Sequence, residues 1–141
     1  MANTQGISGA IKQDALGAVL DSASMKAALF LTSGTVGPSN ATYTSASGDE
    51  VSGTNYSAGG VAVTNGNTVG LTGTTAYWTP SDSIVYTNVT LATAFNAVMI
   101  YLTGTDANIG VFTFGDQTVT AGNFTLTMPT NDSSTGLVRF A

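Results

Sequence analysis

Cysteine and histidine are both absent from this 141-residue sequence. Without thiols there is no disulfide, no thiolate nucleophile and no cysteine-held metal. Without imidazole the commonest general base is missing, together with Ser–His–Asp and Cys–His arrangements and histidine-held metals. Charge is scarce as well. Only 8% of residues are Asp, Glu, Lys or Arg, against roughly 25% in an ordinary soluble domain. The basic residues are Lys12, Lys26 and Arg139. Three cations and a net charge of -5 argue against nucleic acid, which needs several Lys or Arg to neutralise phosphates. They argue equally against an anionic membrane surface. No apolar run approaches the ~18 residues of a membrane-spanning helix. The start, Met1-Ala2-Asn3-Thr4-Gln5-Gly6, has no basic region leading into an apolar run, so no secretory signal is expected there.

Hydrophobic residues make up 43% of the chain, which argues against disorder. Thr, Ser, Gly, Asn and Ala take the place of charge. Solubility then rests on hydroxyl and amide groups, which cost less than Lys or Glu to bury against another surface. One domain of ordinary size is expected.

Two patterns run along the chain. Between residues 7 and 20 the apolar positions Ile7, Ile11, Leu16, Val19 and Leu20 fall near helical spacing, with Lys12 and Asp14 opposite. Gly9 and Gly17 weaken a helix, so residues 1–24 read as a short helix or an ordered arm. Residues 25–141 read as strand and turn. Lys26 to Thr32 is a buried strand. Val61 to Thr64 and Thr68 to Thr72 flank Asn65-Gly66, a strong hairpin signal. Thr75 to Thr79 is strand-like and ends at Pro80. Val89 and Leu91 alternate with threonine. Phe95 to Leu102 is the most apolar run and is placed in the centre of a sheet. Ile109 to Phe114, Phe124 to Met128 and Leu137 to Phe140 complete the set. About eight short strands at intervals of roughly 8–12 residues predict an all-β sandwich, either jelly-roll or immunoglobulin-like.

Only carboxylates are left for acid–base work: Asp14, Asp21, Asp49, Glu50, Asp82, Asp106, Asp116 and Asp132. Nearly all stand beside Gly, Ser, Thr or Asn in turns, which Asx hydrogen bonding explains. No pair is spaced to suggest catalysis, and no EF-hand pattern is present. Neither catalytic residues, metal nor cofactor are expected. Gly53, Gly59 and Gly60 around Tyr56 lack the Gly-Lys-Ser/Thr of a phosphate loop; they read as suppliers of turn dihedrals. Among the aromatics, Trp78 and Tyr77 form either core or a sugar-stacking platform.

The segment Asp49-Glu50-Val51-Ser52-Gly53-Thr54-Asn55-Tyr56-Ser57-Ala58-Gly59-Gly60-Val61, preceded by Lys26-Ala27-Ala28-Leu29-Phe30-Leu31, resembles small virion structural proteins of tailed bacteriophages. The resemblance continues through Ala97-Val98-Met99-Ile100-Tyr101, Phe114-Gly115 and Ala121 to Thr127, spanning about Lys26 to Phe140. It implies a non-enzymatic capsid decoration (cement) protein on the virion surface, synthesised in the bacterial host cytoplasm. Its partners would be the major capsid protein and itself as a homo-oligomer, a trimer. Ile7, Ile11, Leu16, Val19 and Leu20 are the expected protein contacts. The alternative is a head or tail fibre domain that binds a host surface glycan through Trp78 and Tyr77.

Overall fold

The computed structural model describes residues 2–141. Met1, the first residue of the expected 1–24 segment, lies outside the described residues. The chain adopts the expected all-β class with a short N-terminal helix, and it contains two antiparallel sheets. It divides into two compact units. The first comprises residues 1–23, 65–82 and 128–141; the second comprises residues 24–64 and 83–127.

The first unit holds helix α1 (Gly9–Leu20) and a sheet of β3 (Gly70–Thr72), β4 (Thr75–Trp78) and β7 (Val138–Phe140), in the order β3-β4-β7. Residues 9–20 thus form a helix that packs on all three strands. The helix turns a glycine and a lysine inward and leaves three of the expected contact residues outside. Gly9, Lys12 and Leu20 are buried, while Ile7, Ile11 and Val19 stand exposed at 64%, 57% and 50%. Close approach sets this facing. A Cβ on Gly9 would lie 2.9 Å from the Gly73 carbonyl oxygen, so the helix meets the β3–β4 turn on its glycine side. From there the Lys12 ammonium donates to Thr74 O at 3.1 Å and lies 5.8 Å from the centre of the Phe140 ring. An aliphatic stem under a satisfied ammonium makes lysine an acceptable inward residue.

Asn65 is a half-buried tie between three parts of this unit. Its Nδ2 donates to Leu20 O at 2.7 Å and to Ala23 O at 3.0 Å, and its Oδ1 accepts from Trp78 Nε1 at 3.0 Å. The predicted hairpin across Asn65-Gly66 does not form. Val61–Ala62 pairs with Lys26 and Ala27, whereas Gly70–Thr72 pairs with β4. The side chain that would have served the turn is committed to holding the helix end against tryptophan.

The second unit is built on β1 (Met25–Leu31), β2 (Val61–Ala62), β5 (Ile84–Leu102) and β6 (Asn108–Leu126), in the order β2-β1-β5-β6, with a one-turn helix α2 (Tyr43–Ala46). Among the described residues there are seven strands, and two run to 19 residues. The short strands expected near Val89 and Phe95 are one strand, as are those near Ile109 and Phe124. The chain bends without leaving the ladder, because the β5–β6 register shifts repeatedly between Tyr86 and Tyr101. Asn88 and Ala121 take positive φ of 50° and 44° at the bend. Asn123 Oδ1 accepts from Asn88 N at 2.8 Å and Thr90 Oγ1 from Ala121 N at 3.0 Å. Bulges of this kind turn a strand sharply. Phe114 and Phe124 would lie about 33 Å apart on an extended strand, yet their ring centres are 5.6 Å apart, and Phe95 meets both edge-on.

Ala27, Ala28, Leu29 and Phe30 in β1 are all fully buried, as a central strand covered on both faces requires. Ala28 and Phe30 share one cluster with Ala97, Met99, Tyr101 and Ala46 of α2.

Candidate functional site

Glu50 is the only glutamate in the sequence. It stands second in the Asp49 to Val61 segment, and it organises a polar cluster of the second unit. Its carboxylate accepts from three donors. The Tyr56 hydroxyl donates to Oε1 at 2.7 Å, Gly59 N donates to Oε1 at 2.7 Å, and the Tyr43 hydroxyl donates to Oε2. The Tyr56 oxygen in turn accepts from Leu29 N of β1 at 2.9 Å. Two further tyrosines join by stacking: Tyr101 on Tyr43 with ring centres 4.6 Å apart, and Tyr86 on Tyr56 at 5.9 Å. The Tyr101 hydroxyl donates to Gly59 O and the Tyr86 hydroxyl to Ala27 O, each at 2.7 Å.

The backbone of the segment acts as a strap. Val51 N donates to Leu29 O at 3.0 Å, and Thr54 and Thr90 exchange two backbone bonds of 3.1 Å. Residues 50–54 therefore link one end of β1 to the first half of β5, and residues 61–62 return to the other end of β1. The expectation that its glycines supply special dihedrals covers two of the three. Gly59 and Gly60 have φ of +93° and +79°. Gly53 is required for space instead, because a Cβ there would fall 2.0 Å from Thr90 O.

Burial pushes the Tyr43, Tyr56, Tyr86 and Tyr101 hydroxyls above the ordinary 10.0 in the first place, and the Glu50 carboxylate adds to the rise. These hydroxyls are donors held neutral. They are poor proton acceptors and poor nucleophiles in this setting. With its acceptor positions facing three internal donors, Glu50 is suited to bracing the strap. Asp49 turns elsewhere and accepts from Thr35 N at 3.0 Å, so the acidic pair splits between two partners.

The remaining predicted contacts separate. Ile7, Ile11 and Val19 are exposed; Leu16 is half-buried; Leu20, 1% exposed, belongs to the core. Leu20 therefore has no surface to offer. Trp78 is fully buried with its Nε1 bonded to Asn65, and Tyr77 is half-buried in β4. A sugar-stacking platform needs an open ring face, and Trp78 has none. The Glu50–tyrosine cluster was missed at the level of sequence. The available signal was compositional: one glutamate among five tyrosines.

Comparison with protein-family models, with curated proteins and with solved structures finds no match.

Proposed function

We propose that this chain is a non-enzymatic structural protein of a tailed-bacteriophage virion, a capsid decoration protein that binds the major capsid protein and stabilises the assembled shell. The observation that carries the reading is the resemblance of Glu50 to Val61, a segment whose carboxylate, tyrosine and glycines are here all engaged in bracing the chain's own strands. A segment of that kind preserves a scaffold, which suits a protein that works by presenting surface. Carboxylate use supports the same reading. Asp21, Asp49, Glu50, Asp106, Asp116 and Asp132 each accept a hydrogen bond from the chain's own backbone or hydroxyl groups.

The contact would be made by Ile7, Ile11 and Val19, exposed on and just before α1. Burying them against the shell stabilises the assembled state by mass action. A trimer follows from the resemblance and from the preference of such assemblies for closed symmetry. The test is the number of copies per purified virion relative to the major capsid protein. A ratio near one-to-one supports shell decoration. A few copies per particle would move the protein to a fibre or tail and make glycan binding the better reading. Absence from the particle overturns the proposal.

A further inference from the structure

Asn65-Gly66 is the only Asn-Gly pair in the sequence, and neither the fold class nor the proposed function uses its chemistry. In an open chain this pair is self-reactive. Glycine has no side chain to keep its backbone nitrogen away from the neighbouring carboxamide. The Gly66 nitrogen, losing its proton, attacks Asn65 Cγ; the Cγ–Nδ2 bond breaks and ammonia leaves. Water then opens the resulting succinimide at one carbonyl or the other, giving aspartate or isoaspartate.

Both reacting groups are restrained here. The carboxamide is held by the Leu20 and Ala23 carbonyls and by Trp78 Nε1. The nucleophile is occupied too, because Gly66 N donates to Ser81 Oγ at 2.9 Å. The aspartate product can still accept from Trp78 Nε1 but cannot rebuild the two bonds to carbonyl oxygen. Aspartate offers only acceptors where the two carbonyl oxygens need donors, so a half-buried carboxylate would face the negative ends of two carbonyl dipoles.

We propose that Asn65 is a latent self-modification site, kept unreactive by the closed first unit and converted to aspartate or isoaspartate when that unit opens, after which the closed state is not regained at its former stability. The pair then records opening irreversibly, with water as the only co-reactant.

The experiment follows the Asn65 peptide by mass after incubating the full chain at mildly alkaline pH, folded in buffer and unfolded in concentrated urea. Conversion in the folded sample is expected to be slower by roughly tenfold or more, because it proceeds only through the open population. Equal rates in the two samples would overturn the protection. Asn65→Asp, made directly, is expected to unfold at a lower temperature than the wild type; an unchanged midpoint would overturn the irreversible consequence. The wild-type comparison stands whether or not that variant folds.

Discussion

The Tyr56 hydroxyl donates to Glu50 Oε1 at 2.7 Å while its oxygen receives the Leu29 amide at 2.9 Å. One phenol thereby ties the strap to a buried strand and to the only glutamate of the chain. Replacing Glu50 by alanine leaves two hydroxyls and the Gly59 amide without their acceptor. Unpaired groups of this kind cost about 1–3 kcal/mol each when buried. For a half-buried site we expect a total loss of about 2–4 kcal/mol, read as a lower urea midpoint. Glu50→Gln, which keeps one acceptor oxygen, should lose less.

The tyrosines set an alkaline limit. Tyr43, Tyr56, Tyr86 and Tyr101 have hydroxyls raised above 10.0 in the folded chain. Between the unfolded and folded values the native state holds more protons, so stability falls as pH rises. The contribution is complete below about pH 10, the unfolded value, and is lost progressively above it. The phenolate absorbance of these four residues should therefore appear together with unfolding. Independent titration of these tyrosines in the folded protein, ahead of unfolding, would refute the assignment.

Two glycines of the strap should be irreplaceable, for different reasons. A Cβ at Gly60 would fall 1.8 Å from Ala27 O at a φ of +79°, and one at Gly53 would fall 2.0 Å from Thr90 O. Alanine at either position is expected to cost about 3 kcal/mol or more, since backbone must move in both cases. Gly104 and Gly115 have nothing within 4 Å of an added Cβ. Alanine there should stay within about 0.5–1 kcal/mol of the wild type. Thermal midpoints of the four variants separate the two groups.

The exposed face of α1 gives a test of function separate from folding. Ile11→Asp with Val19→Asp changes two exposed positions, so stability should move by no more than about 0.5 kcal/mol per site. Under the decoration reading the same pair abolishes addition of the protein to capsids. Full binding by a folded double variant would remove this face from the contact.

Legibility in the sequence followed the range of the interactions. The buried run Ala27 to Phe30 and the central run Phe95 to Leu102 announce themselves by local hydrophobicity, and the structure buries them accordingly. The continuity of β5 and β6 was not legible, because Thr and Gly at the bulges look like turn residues while the ladder persists through them. The facing of α1 was not legible either. Spacing identifies an apolar stripe but cannot say that Gly9 must meet Gly73. Asn65 illustrates a third kind of failure. Its hairpin signal is local, but the partners that claim the side chain lie at Leu20, Ala23 and Trp78. Of the candidate site, the glycines were visible as glycines, whereas the link from Glu50 back to Tyr43 and Leu29 appears only once the strap has closed.

The bent β5–β6 pair also bears on the order in which the chain assembles. Its two strands are joined by a short turn, so each rung closes a loop only slightly larger than the last, and zipping from the turn needs no distant partner. β1, by contrast, must find residues 95–102 across a long intervening stretch. The hairpin is therefore expected to form early, as a template, with β1 and then the strap docking onto it. Substitutions at Val98 or Met99 should slow folding, whereas Tyr56→Phe should mainly speed unfolding.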